Sequence, residues 1–207
     1  MTLKAKFLSF CFLMLCVESL AQNLKYFGQT EIGFLYGRSD ELWDGNHENR
    51  INFTLMTFNG IQFTENHSIG LTTGLDQYDD ISIIPLALGW RSILGKEGKI
   101  KYTGGLDIGS GLTWLEKNER NEWSKTWYEG GFLVSPSLGI GLPTKGGKTA
   151  FSFSIAYKRQ VFSRFHGILS TFGTTTIPND QLPPEYSSLT EDQFLFRSFV
   201  FRAGLMF

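Results

Sequence analysis

Ester hydrolysis needs a hydroxyl nucleophile, an imidazole base and an orienting acid within reach of one another, so the histidines are the first residues to weigh. There are three, His47, His67 and His166. Ser163 lies three residues before His166 and Ser170 four after it. His67 is followed directly by Ser68, and His47 lies near Asp44. A second group is acidic: Asp76, Asp79 and Asp80 cluster in a short segment, where they could contact a cation or act as an acid pair. Carboxylates in a turn are ordinarily solvated, and a loop histidine is more often inert than reactive, so both groups are read as polar loop residues. No metal ligand set and no cofactor motif is present, and none is expected.

The elements that would position these residues begin with an address. Lys4 and Lys6 form a basic start, Phe7 to Val17 an apolar stretch, and Ser19-Leu20-Ala21 a small-residue cleavage pattern. Residues 1–21 therefore read as a secretory signal cut before Gln22. The apolar stretch is shorter than the ~20 residues a membrane helix needs. Leu15 departs from the small residues that precede an acylated cysteine, so lipidation at Cys16 is not expected. Cleavage removes Cys11 and Cys16 together, leaving a mature chain without thiol chemistry. A net charge of -1 favours no nucleic acid partner.

The 207 residues include 23 Gly, 19 Phe, 7 Tyr and 5 Trp, yet only 42% are hydrophobic. Beyond the leader, the longest apolar run is Ile83 to Trp90, and it contains Pro85. Apolar content this aromatic, without a membrane-length run, points to strands. Phe151, Phe153, Ile155 and Tyr157 alternate with Ser152, Ser154, Ala156 and Lys158. Phe199, Phe201, Ala203, Leu205 and Phe207 alternate with Val200, Arg202 and Gly204. Period-two alternation over such lengths is a strand signal. A soluble barrel would crowd its second face with solvated charge, whereas here that face is mostly Gly, Ser, Ala and Thr, suited to a narrow lumen inside a lipid-facing wall. The expected fold is all-β, an eight-stranded antiparallel up-and-down transmembrane β-barrel over residues 22–207.

The strands are expected near residues 29–36, 50–64, 68–75, 81–94, 99–115, 130–142, 148–162 and 193–207, with a bulge at Met56-Thr57-Phe58. Three connections are tight and rich in Gly and Lys, at 65–67, 95–98 and 143–147. The alternate connections are mostly long, at 37–49, 116–129 and 163–192, with 76–80 short. Short turns on one side and long loops on the other is the outer-membrane pattern. The alternation points Glu31, Arg91, Asp107, Lys158 and Arg202 into the lumen. Unpaired charge there is costly, so a salt-bridge plug is preferred to a gated ion path.

The closing segment, Phe194 to Phe207, alternates and ends on an aromatic. It resembles the C-terminal signature that outer-membrane barrels present to the barrel-assembly machinery, with Phe207 as the signal residue. Asn59 to Phe63, Ser68 to Tyr78 and Ile84-Pro85-Leu86 resemble the small outer membrane protein β-barrel domain family of Gram-negative bacteria. The resemblance implies a barrel in the outer membrane, with lipopolysaccharide and phospholipid as surroundings. Lipid A deacylases of this kind of barrel hold His and Ser two residues apart, a spacing that neither Ser163 nor Ser170 has with His166. A non-enzymatic barrel with external loops for binding or envelope integrity is therefore expected. A lipid A or phospholipid hydrolase and a narrow channel are the alternatives.

Overall fold

Strands whose large side chains all fall on one parity can bury only the other parity, and a sheet of them curls until its small-residue face closes on itself. The computed structural model describes residues 25–38, 49–78, 81–96, 98–116, 118–145, 149–169 and 185–207. In chain order its strands are β1 (Lys25–Arg38), β2 (Asn49–Thr64), β3 (His67–Gln77), β4 (Ser82–Leu94), β5 (Lys101–Leu112), β6 (Glu119–Arg120), β7 (Ser124–Pro143), β8 (Ala150–Leu169) and β9 (Tyr186–Met206). Every pairing is antiparallel. The order β5-β4-β3-β2-β1-β9-β8-β7 closes into a ring through β5–β7.

Eight strands make that ring, as the alternation implies. The ninth, β6, is a two-residue piece that pairs with Thr126 and Lys125 of β7 beyond the ring. The three short connections and both ends of the described chain, Lys25 and Phe207, share one end of the barrel, called here the turn end. The other is the loop end. Gly95 and Gly98 have φ of 146° and 71°, values that a side chain resists, and they shape the β4–β5 turn.

The outward parity carries an apolar belt. Ile32, Phe53, Phe153, Ile155 and Phe199 are each 43–54% exposed, and Leu138 reaches 74%. A soluble protein rarely leaves so large a continuous greasy surface in water, whereas lipid covers it at no cost.

Two expectations need correction. β2 has no bulge at Met56-Thr57-Phe58: its register with β1 runs unbroken from Arg38↔Asn49 to Lys25↔Gln62, and the shift comes later, against β3, between Gln62 and Thr64. Met56 and Phe58 simply occupy inward positions, because glycine neighbours leave them room. A Cβ on Gly89 would stand 2.8 Å from Phe58 Cδ2.

The second correction concerns loop length. The expected loop 163–192 is strand as far as Leu169 and again from Tyr186, and 116–129 is strand from Ser124. β7, β8 and β9 thus rise past the ring as a projecting sheet, held by Phe165 stacked on Trp127 at 5.2 Å and by Tyr186 against Trp127 at 5.7 Å. The expected leader 1–21 lies outside the described residues.

Candidate functional site within the lumen

The inward parity of the ring produces three layers. Near the turn end Phe27, Phe58, Ala150 and Met206 form a buried apolar cluster, with Ile93 packed against it. The Phe27 and Phe58 rings are 5.8 Å apart. Near the loop end a larger cluster contains Leu35, Tyr78, Ile81, Ile83, Phe162 and Val200, with Tyr128, Phe194 and Phe196 packed against it. Tyr78 and Phe196 lie 4.5 Å apart, and the Arg50 guanidinium sits 4.0 Å above the Phe196 ring.

Charge fills the layer between. Arg91 grips Asp107 with both terminal nitrogens, at 2.9 and 3.1 Å. Thr72 donates to the same carboxylate at 2.5 Å. Arg202 faces Glu31 at 3.3 Å, and Glu31 also accepts from Ser152 at 2.5 Å and Ser154 at 2.9 Å. Gln29 joins the two pairs, accepting from Arg91 Nε at 3.2 Å and donating to Ser152 at 3.1 Å. Lys158 pairs with Asp76, which accepts from Thr54 at 2.7 Å. The void that Asp76, Asp107, Lys158 and Arg202 line with Met56 and Leu133 measures about 10 Å³, room for roughly one water.

Glu31, Arg91, Asp107, Lys158 and Arg202 are thus brought together in one layer. Asp76 is placed differently from the sequence reading, which put it in an external loop with Asp79 and Asp80. It is fully buried on β3, four residues on from Thr72 and on the same inward parity. β3 runs to Gln77, further than the acidic run suggested, so Asp76 faces the lumen as the sixth charge of this layer. Asp79 and Asp80 lie outside the described residues, as do His47 and Ser170.

Neither described histidine is paired with a serine. His166 is on β8 rather than in a loop, and its Nδ1 is 3.0 Å from the Thr126 hydroxyl on the face that continues the lumen. Ser163 has the opposite parity and donates to Glu191 at 2.9 Å. His67 stacks between Phe63 and Trp90 at the turn-end rim. Phe207 closes the β1–β9 seam, exchanging backbone hydrogen bonds with Gly28 at 2.8 and 2.9 Å. Its ring lies over Gly28, where an added Cβ would stand 2.5 Å from Cε2.

An up-and-down ring with a lipid-facing belt and a packed polar interior defines an integral β-barrel of the outer-membrane kind. One solved structure supports the fold. The chain is similar to the crystal structure of the outer membrane protein OprG from Pseudomonas aeruginosa, with a TM-score of 0.53 and 11% identity over 87% of this chain and 93% of that one. The outer membrane protein AlkL, determined by solid-state NMR in DMPC bilayers, aligns over 88% of each chain with a TM-score of 0.46 and 9% identity. No protein-family model matches the sequence. No curated protein matches it.

Proposed function

We propose that this chain is a non-enzymatic outer-membrane barrel whose lumen is a structural plug and whose loop end supplies its binding surface. In this reading residues 1–21 direct export, the barrel-assembly machinery inserts the mature chain, and the turn end faces the periplasm. The observation that carries it is the layered lumen: three ion pairs between two apolar clusters, with space for about one water within the charged layer. An ion path would need continuous wetted width, and eight strands leave little beyond side-chain volume. The β7–β9 sheet projecting past the ring offers an ordered surface to the outside, for a ligand or for neighbouring envelope components.

Planar-bilayer recording tests the plug, with no steady single-channel current expected from the purified protein. A reproducible ohmic conductance would favour the channel reading instead. Incubation with lipopolysaccharide and phospholipid, followed by mass spectrometry of the lipids, tests the absence of chemistry. Loss of an acyl chain that disappears in His166→Ala would make the protein a hydrolase.

A further inference from the structure

The outward parity of β1, β9 and β8 changes character abruptly at the loop end. Tyr36, Phe199 and Tyr157 form a cross-strand aromatic row, with Phe199 opposite both tyrosines and 5.6 Å from the Tyr157 ring. Two residues further on, Arg197 of β9 stands directly opposite Arg159 of β8. On its other side, one step past the Gly37↔Ser198 pair, is Arg38 of β1. The next outward neighbours are Asn49 of β2 and Val134 of β7, so the row carries three cations and no carboxylate. All three arginines are exposed, and among the described residues none has a hydrogen bond or ion pair. The carboxylates on this parity of the projecting sheet, Glu129 and Glu191, are already engaged by Trp127 and Ser163.

Like charges directly opposite on paired strands destabilise the sheet, so this row is unfavourable until an anion enters it. Its position specifies which anion. Tyr36, Phe199 and Tyr157 cap the apolar belt, and aromatic girdles sit at the membrane–water interface. Two residues along a tilted strand raise the arginines about 5 Å above that girdle, at the height of lipid headgroups. Strands about 4.8 Å apart bring three planar guanidinium forks within reach of one group, and such forks match phosphate oxygens. We infer that Arg38, Arg197 and Arg159 form a binding site for the phosphate monoester of an outer-leaflet glycolipid. The dianionic monoester answers three positive charges better than a singly charged phosphodiester. Elsewhere on the rim the outward positions ending the ring strands, Gln77, Ser82 and Leu112, are uncharged, which confines the site to one side of the barrel.

This inference rests on the membrane reading above, and the test separates the two. The mature protein is refolded into phosphatidylcholine nanodiscs containing bisphosphorylated lipid A, dephosphorylated lipid A or phosphatidylglycerol, or no added lipid but inorganic phosphate in the buffer. Lipid retained by the protein is read by native mass spectrometry. Selective retention of bisphosphorylated lipid A is expected, weakened about tenfold for each arginine changed in Arg159→Gln and Arg197→Gln. Lys99→Gln, at the turn end, should change nothing. Retention of dephosphorylated lipid A or phosphatidylglycerol as strong as that of bisphosphorylated lipid A would overturn the assignment. So would equal saturation by inorganic phosphate, or a double variant that binds like the wild type. Heat-modifiable migration on gels reports the folded barrel independently. A wild-type chain that never enters the membrane refutes the membrane reading together with the site, whereas an inserted barrel indifferent to the substitutions refutes the site alone.

Discussion

Glu31 and Asp107 are two carboxylates set against three inward cations, Arg91, Lys158 and Arg202, an imbalance that a closed interior tolerates poorly. Asp76 completes the set by pairing with Lys158. Removing one member of a buried pair costs about 3–5 kcal/mol, because the other charge is stranded, whereas removing both is often nearly neutral. Asp76→Asn should therefore destabilise the barrel by that amount in urea unfolding, and Asp76→Asn with Lys158→Met should recover most of it. If the double variant is as unstable as the single one, Asp76 and Lys158 do not form an isolated pair. Gly89 makes a second, steric case. A Cβ there would meet Thr72 Oγ1 at 2.6 Å, Asp107 Oδ1 at 2.7 Å and Phe58 at 2.8 Å. Gly89→Ala should cost about 1–3 kcal/mol by overpacking, read in the same unfolding assay. Alternation alone marks five of the six charges in the central layer, but Asp76 was hidden by its neighbours, since an acid so near Asp79 and Asp80 reads as the start of a loop.

At the scale of the strand, β8 shows how far a parity argument reaches. Phe151, Phe153, Ile155 and Tyr157 face outward and Ser152, Ser154, Ala156 and Lys158 inward, as their alternation implies. Phe153→Arg places a charge in the lipid-facing belt and should cost about 2–4 kcal/mol, while Ser154→Thr keeps a hydroxyl for Glu31 and should be mild. Comparable losses for the two would mean that β8 does not divide lipid from lumen. Beyond Phe162 the pattern fades, because Arg164 and His166 share a face with Ile168 while Phe165 and Gly167 take the other. Such a stretch has no greasy side to betray it as strand. Pairing decides it there, with Phe165↔Trp127 on one edge and His166↔Thr190 on the other. Amide exchange at residues 163–169 should accordingly be slowed well below loop rates, and exchange at the free-chain rate would show that the projecting sheet does not persist in solution.

Topology of the whole molecule can be tested through its two ends. The mature chain has no cysteine if the leader is cut, so single cysteines report without background. With the turn end in the periplasm, Asn118→Cys should react with an impermeant maleimide on intact cells and Gly98→Cys should not. Reversed labelling would invert the barrel, and labelling of both would argue against membrane insertion. Ring closure depends on the β1–β9 seam, where Phe207 exchanges two backbone hydrogen bonds with Gly28. Deleting Phe207 should lower the heat-modifiable fraction in membranes more than deleting Glu119-Arg120, because β6 lies outside the ring.

Fold class and facing were legible in the sequence because both follow from a local rule: successive strand residues alternate sides, and lipid outside with a narrow interior demands large and small residues on opposite parities. Phe153 and Ser154 obey that rule without reference to anything distant. The pairing partners follow no local rule. Lys158 lies 82 residues from Asp76, and Glu31 more than 120 from Ser152. Only ring closure and register bring them into one layer. The arginine row has the same origin, since Arg38, Arg159 and Arg197 are unremarkable singly and become a site only when β1 and β8 both align on β9. Strand length at the loop end was also decided by tertiary structure, where cross-strand stacking of Trp127, Phe165 and Tyr186 sustains pairing in segments whose own pattern reads as loop.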